Sequence, residues 1–226
     1  MKKIGYLLIW VFALASVSCE KEPEELLVTI NRSGMIKIKV VDNDKQAVEG
    51  AEIQIYSNST MYVIEEGITD NSGMYSSKKL LQDSYYCNVS AVKDNMTYSD
   101  NTVFQIIAGE TRNIEINPFT NVGNGTIILS NINNSQLPLL NILISPPIPE
   151  LSWGIGYGIF SVEDYIKTAY FTGKTDAENK LAFPSIPVGQ YIVLIYSDNQ
   201  QGGFLNVKNI YVNRSQNQLY NLSINY

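Results

Sequence analysis

Histidine is absent from all 226 residues of this chain. That removes histidine-based triads, histidine metal ligands and histidine general bases in one step. Cysteine occurs only as Cys19 and Cys87, so a cysteine metal cluster is excluded as well. There is no Gly-rich phosphate loop and no dinucleotide fingerprint. The net charge is −6 and no run of basic residues interrupts it, so we expect no nucleic-acid partner. No segment shows a helical period, and the one long apolar run, Ile4 to Ala15, is too short to span a bilayer. What these absences leave is an expectation of a non-enzyme, with no catalytic residue, no cofactor and no metal.

What is present begins with an address. Lys2 and Lys3, the apolar run and then Ser16-Val17-Ser18-Cys19 form an export signal over 1–18 that takes no part in the fold. Small residues halting at a cysteine resemble the lipobox of bacterial lipoproteins, which implies cleavage before Cys19 and acyl chains, such as palmitate, on that residue. Each buried methylene of such a chain stabilises membrane attachment by about 0.8 kcal/mol. Glu20-Lys21-Glu22-Pro23-Glu24-Glu25 then reads as a solvated tether, 19–25. It resembles the acidic export tag of Bacteroidetes lipoproteins displayed outside the outer membrane, and a plain charged spacer is the other reading. The resemblance implies an outer-membrane, lipid-anchored and surface-exposed location. Loss of Lys2 and Lys3 with the leader takes the charge from −6 to −8. With Cys19 committed to lipid, Cys87 has no disulfide partner; it shares a strand face with Tyr85 and Val89 and reads as a small core hydrophobe.

The rest of the chain is organised around a repeated unit. Thr175-Asp176-Ala177-Glu178-Asn179-Lys180 is a polar turn, Pro187-Val188-Gly189 closes a second, and Tyr191, Val193 and Ile195 alternate on the strand that follows. Earlier, Thr69-Asp70-Asn71-Ser72-Gly73 leads to Tyr85, Cys87, Val89 and Ala91 on the same plan. In both copies sixteen positions separate the turn threonine from the strand tyrosine, so one supersecondary unit is used twice. Alternation at Ile36, Ile38 and Val40, at Ile53 and Ile55, at Val103 to Ile107, and at Ile114 and Ile116 makes 26–118 one set of short strands. After a linker at 119–124, the stretch 125–226 repeats it from Gly125-Thr126-Ile127 to Tyr220, Leu222 and Ile224. Short strands at this spacing predict all-β architecture: two tandem antiparallel sandwiches. Ile55 to Thr69 takes 14 steps whereas Ile144 to Thr175 takes 31, so the second unit carries about 17 extra residues within 146–174.

With both units laid out, the pattern of strand, Gly-Ala, strand, Thr-Asp turn and Gly-x-Tyr strand resembles the carboxypeptidase regulatory-like domains. These are prealbumin-like Greek-key sandwiches, related also to the collagen-adhesin B-type repeats. Val48, Gly50, Ala51, Ile53, Thr69, Asp70, Gly73 and Tyr75 carry the likeness in the first copy, and Ile186, Pro187, Gly189, Tyr191 and Val193 in the second. The family implies fold more than activity, since its members serve as accessory, stalk and binding modules. Asp70 and Asp176 are expected to accept backbone N–H bonds in their turns, Gly73 and Asn179 to take positive φ, and Tyr85 and Tyr191 to bury a ring with the hydroxyl on backbone.

Candidate chemistry is sparse. Asp42, Asp44 and Glu49 lack EF-hand spacing and read as an Asx-rich turn, and Glu163-Asp164 read as solvated neighbours. A Lys–Asn crosslink of the collagen-adhesin kind would pair Lys37 or Lys39 with Asn113 or Asn117, but both lysines alternate with the apolar face and point outward. The insertion concentrates aromatic residues beside glycines, and Trp153, Tyr157, Phe160 and Tyr165 are the candidate ligand-binding residues. The other reading of these rings is that they fold back over an open sandwich edge. The functional expectation is a membrane-anchored structural or interaction lipoprotein displaying two sandwiches at the cell envelope and holding a protein partner. The alternative is a surface glycan-binding accessory of a polysaccharide uptake system.

Overall fold

The computed structural model describes residues 32–147, 162–198 and 206–226. Residues 32–226 form one compact unit. Its first half holds β1 (Ser33–Val40), β2 (Glu52–Ser57), β3 (Val63–Ile68), β4 (Met74–Ser76), β5 (Leu80–Leu81), β6 (Ser84–Lys93), β7 (Met96–Gln105) and β8 (Thr111–Ile116). A 310 turn (Pro118–Thr120) follows, and then β9 (Val122–Asn131), β10 (Asn141–Ser145), the helix α1 (Val162–Ile166), β11 (Phe171–Lys174), β12 (Lys180–Pro187), β13 (Gly189–Tyr196), β14 (Asn206–Val212) and β15 (Gln218–Ile224).

These strands make four sheets, two per sandwich. In the first half β1 is flanked by β4 and β8, with β5 continuing its start, and the facing sheet runs β3-β2-β6-β7. In the second half β12-β9-β15 faces β11-β10-β13-β14, the same order with each strand replaced by its counterpart. The duplication read from the turn motif therefore extends to the whole topology. Strand alternation explains the layering: Ile36, Ile38 and Val40 of β1 are fully buried while Lys37 and Lys39 are exposed. Each such side chain contributes about 1.5–3 kcal/mol on burial. Tyr85, Cys87, Val89 and Ala91 do the same on β6.

Three features depart from the sequence reading. The first and last strands of each sandwich run parallel, β1 with β8 from Met35↔Thr111 to Val40↔Ile116, and β9 with β15 from Gly125↔Gln218 to Asn131↔Ile224. Alternation carries no information about strand direction; the path of the chain sets it. The strands β3 and β11 are absent from the sequence reading because each lies at a sheet edge, where burial does not enforce an apolar alternation. Finally, α1 is a helix in a chain whose pattern shows no helical period, and five residues are too few to display one. In the stretch read as a linker, Pro118–Thr120 form the 310 turn and β9 already begins at Val122. Pro184 sits where β12 slips register against β9, a place that asks no backbone donor of it.

Candidate functional site

The turn motif has the same geometry in both copies. The Thr69 hydroxyl accepts the Ala51 N–H at 2.9 Å and donates to the Val48 carbonyl at 2.7 Å. In the second copy the Thr175 hydroxyl accepts the Leu140 N–H at 2.9 Å. Both threonines are buried, so each hydroxyl satisfies a backbone group that water cannot reach. The Asp70 carboxylate accepts the N–H groups of Ser72 and Met74, both at 2.9 Å, and the Asp176 carboxylate those of Glu178 and Lys180 at 3.0 and 2.7 Å. The Ser72 hydroxyl, followed by the Met74 N–H, holds the Asp70 carboxyl below the usual carboxylate range. Gly73 has φ +72° and Asn179 +60°, so asparagine in the second copy takes the left-handed position that glycine takes in the first. A Cβ on Gly73 would lie 2.6 Å from the Val40 carbonyl oxygen.

A second shared device closes each sandwich. The Tyr85 hydroxyl donates to the Leu81 carbonyl at 2.8 Å and the Tyr191 hydroxyl to the Pro187 carbonyl at 2.6 Å, each four residues back. Both rings are buried, and burial raises both phenols above their ordinary range. Gly189 opens β13 opposite Val212, two residues before Tyr191. These eight residues, Thr69, Asp70, Gly73, Tyr85, Thr175, Asp176, Gly189 and Tyr191, hold turns and corners.

The two sandwiches meet at a junction built from the β6–β7 hairpin, the segment around Phe119 and the start of β11. Asp94 and Asn95, at φ +52° and +61°, make the two-residue turn that joins β6 to β7. That hairpin tip delivers Met96 onto the second core. Beside it, the Thr97 N–H donates to the Tyr170 hydroxyl at 2.9 Å, and the Tyr170 ring meets Tyr191 edge-on with centroids 5.7 Å apart. The Asn121 side-chain amide donates to the Ser99 carbonyl at 2.7 Å, while the Asn121 carbonyl accepts the Val188 N–H at 3.0 Å. Tyr98 stands edge-on to Phe119 at 5.0 Å, and the Lys93 ammonium lies 5.5 Å from the same ring. Burial, with Tyr170 and Tyr98 adding to it, raises the Tyr191 phenol above its ordinary range. Sequence reasoning passes over Met96, Tyr98, Phe119 and Asn121; the usable signal was the Asp-Asn turn between two alternating strands, which marks a hairpin but not what its tip touches.

The proposed ligand-binding rings fare differently. Trp153, Tyr157 and Phe160 lie outside the described residues, as does Cys19. Tyr165 is corrected: it projects from α1 into a small core with Leu143, Ile192 and Leu194, on the side of β10 and β13 away from the main core, and is only 1% exposed. A ring so placed is a cover for the sheet and cannot meet a ligand. Asp164 forms an exposed ion pair with Lys167 at 3.8 Å. Lys37 and Lys39 are exposed and Lys37 sits opposite Asn113 on the outer face, so neither reaches the core position a buried crosslink needs. Asp42 accepts the Asp44 and Gln46 N–H groups in an Asx turn. Among the described residues no group of three or more acids or cysteines could hold a metal. Cys87 is fully buried, and burial pushes its thiol up to about 12, which makes it inert near neutral pH. Among the described residues no helix is long and apolar enough to cross a membrane.

Comparison with known proteins agrees with this geometry. Residues 34–121 match the family described as SpaA, prealbumin-like fold domain. No curated protein matches the chain. Among solved structures, GBS52, the minor pilin of Streptococcus agalactiae, is similar at 16% identity over 85% of this chain and 96% of its own, with a TM-score of 0.45. A streptococcal ancillary pilin is 12% identical over 86% of this chain and 62% of its own, with a TM-score of 0.40. The Bacillus anthracis TIE protein is 16% identical over 85% of this chain, which spans about a third of it (34%), with a TM-score of 0.37. The functional expectation of a structural or interaction lipoprotein displaying two sandwiches, and its glycan-binding alternative, is corrected by these matches, whose solved neighbours include pilin subunits. The architecture is all-β with the prealbumin-like fold.

Proposed function

We propose that the chain is a non-catalytic structural subunit of a pilus-type appendage at the cell surface. The observation that carries this reading is the junction, where ring contacts, a partly buried methionine and two side-chain-to-backbone hydrogen bonds couple one sandwich to the next. Interfaces between independently moving domains are small and polar, and an apolar clamp of this kind suits a module that passes load from one end to the other. The prealbumin-like match over 34–121 supports the same role. Part of this proposal is the finer address: removal of the leader at Cys19 and acyl chains on that residue as the attachment to the outer membrane, read from the apolar run and the small residues before it.

The test is to shear intact cells and probe both fractions with antibody to the chain, alongside immunogold labelling. We expect label along filaments and high-mass material in the sheared fraction. Label confined to the cell body, with only monomer released, contradicts the role. For the address, Cys19→Ala is expected to lose the acyl mass increment and the membrane association together.

A further inference from the structure

The two sandwiches differ at one sheet edge. The strand β11 ends in Lys174, whose ammonium is paired to Asp198, and a paired cation at an edge discourages another strand from adding there. Its counterpart in the first sandwich is β3, as the shared glycine two residues before each turn threonine shows. A Cβ on Gly67 would strike the Tyr75 ring at 2.3 Å, and one on Gly173 would strike Leu181 at 2.9 Å. In this alignment Lys174 corresponds to Ile68, which is 66% exposed. At that position the first sandwich therefore presents an exposed apolar side chain where the second presents a paired cation.

The strand β3 contains no Lys, Arg or Pro; its register with β2 shifts between Ile55 and Tyr56, opposite Ile64, and Ile64, Glu66 and Ile68 are all exposed. Glu65 points the other way, accepting the Tyr75 hydroxyl at 2.6 Å and the Lys78 N–H at 2.8 Å. Two shallow grooves flank the strand, about 380 Å³ beside Glu52, Gln54 and Ile68 and about 440 Å³ beside Ile64 and Lys78, and Glu66 borders both. Within the described residues Glu66 accepts one hydrogen bond, from Gln54, and no ion pair neutralises Glu52, Glu65 or Glu66. A second copy of β3 is a poor occupant, because antiparallel self-pairing centred on the exposed row sets Glu66 against Glu66.

We infer that β3 is an acceptor edge for an extended segment of a different protein chain, one carrying a lysine or arginine flanked two residues away on each side by apolar residues. Main-chain hydrogen bonds to the free side of β3 supply the attachment, the cation meets Glu66, and the flanking side chains meet Ile64 and Ile68. This names a contact beyond the proposed structural role and rests on the edge alone, so its failure leaves that role standing.

The experiment titrates residues 32–226, labelled with 15N, with two blocked peptides, Thr-Val-Thr-Lys-Thr-Val-Thr and the same peptide with Glu for Lys. The expected result is saturable shifts in the Val63–Ile68 amides and about tenfold tighter binding of the lysine peptide. Ile68→Lys, which copies Lys174, should abolish binding, and Glu66→Lys should invert the preference; both positions are exposed, and the amide spectrum itself reports that the fold is intact. Equal binding of the two peptides, shifts elsewhere, or full binding by Ile68→Lys overturns the inference.

Discussion

Tyr170 packs on the second core and meets the hairpin of the first sandwich, so replacing it probes the junction from the second side. The hydroxyl accepts one N–H, from Thr97 in an exposed setting, so water can replace it in Tyr170→Phe and the cost is at the low end for a hydrogen bond, about 0.5 kcal/mol. Tyr170→Ala also removes an edge-on pair with Tyr191 at 5.7 Å, which contributes about 0.5–1.5 kcal/mol beyond area. The ring is half-buried, so only part of the 3–5 kcal/mol typical of a fully buried aromatic is lost; the total comes to about 2 kcal/mol. Urea unfolding followed by far-UV circular dichroism measures this. Wild type is expected to unfold in one transition, whereas Tyr170→Ala shifts the midpoint and separates the sandwiches into two steps. A Tyr170→Ala midpoint within about 0.5 kcal/mol of wild type, still in one step, would refute the clamp.

Other consequences follow from the same geometry. Thr69→Val leaves the Ala51 N–H and the Val48 carbonyl without the hydroxyl, and we expect a loss of about 2–3 kcal/mol in denaturant unfolding, against about 1–2 for Thr175→Val, where the Leu140 N–H loses its acceptor. Gly73→Ala forces both a strained φ and a 2.6 Å approach to the Val40 carbonyl, and should cost more than about 2 kcal/mol, while Asn179→Gly should stay within about 0.5 kcal/mol. The Asp70 carboxyl titrates lower in the fold than in the unfolded chain, so its contribution is present above the unfolded value of 3.8 and is lost as pH falls through the folded one; Asp70→Asn should flatten the acid limb of a stability–pH curve. At the alkaline end Tyr85 and Tyr191 titrate higher in the fold. Their contribution is complete below 10.0 and fades above it, and Tyr191→Phe should reduce that slope.

The repeated turn was readable in the residues because its parts are local. A carboxylate that caps its own turn, a glycine or asparagine at positive φ and a tyrosine reaching four residues back all act within one short stretch, so their spacing survives in the sequence. The cores were readable for a similar reason, since full burial of Ile36, Ile38 and Val40 beside exposed Lys37 and Lys39 imposes a period of two. The junction was not readable. Thr97 and Tyr170 lie 73 residues apart, and nothing in a hairpin tip says which surface it will touch. Tyr165 misled for a different reason: an aromatic beside glycines looks the same whether it covers a sheet or a ligand, and only the apolar outer faces of Leu143, Ile192 and Leu194 decide. Edge strands hid because β3 has Glu65-Glu66-Gly67 where a core strand would alternate.

The central claim is that the two sandwiches act as one body through the Met96–Tyr170 junction, and residual dipolar couplings of residues 32–226 in a weakly aligning medium test it most directly. If the claim holds, couplings from β6 and from β13 fit a single alignment tensor in wild type, and separate into two in Tyr170→Ala. Two tensors of different magnitude in the wild-type chain would contradict it.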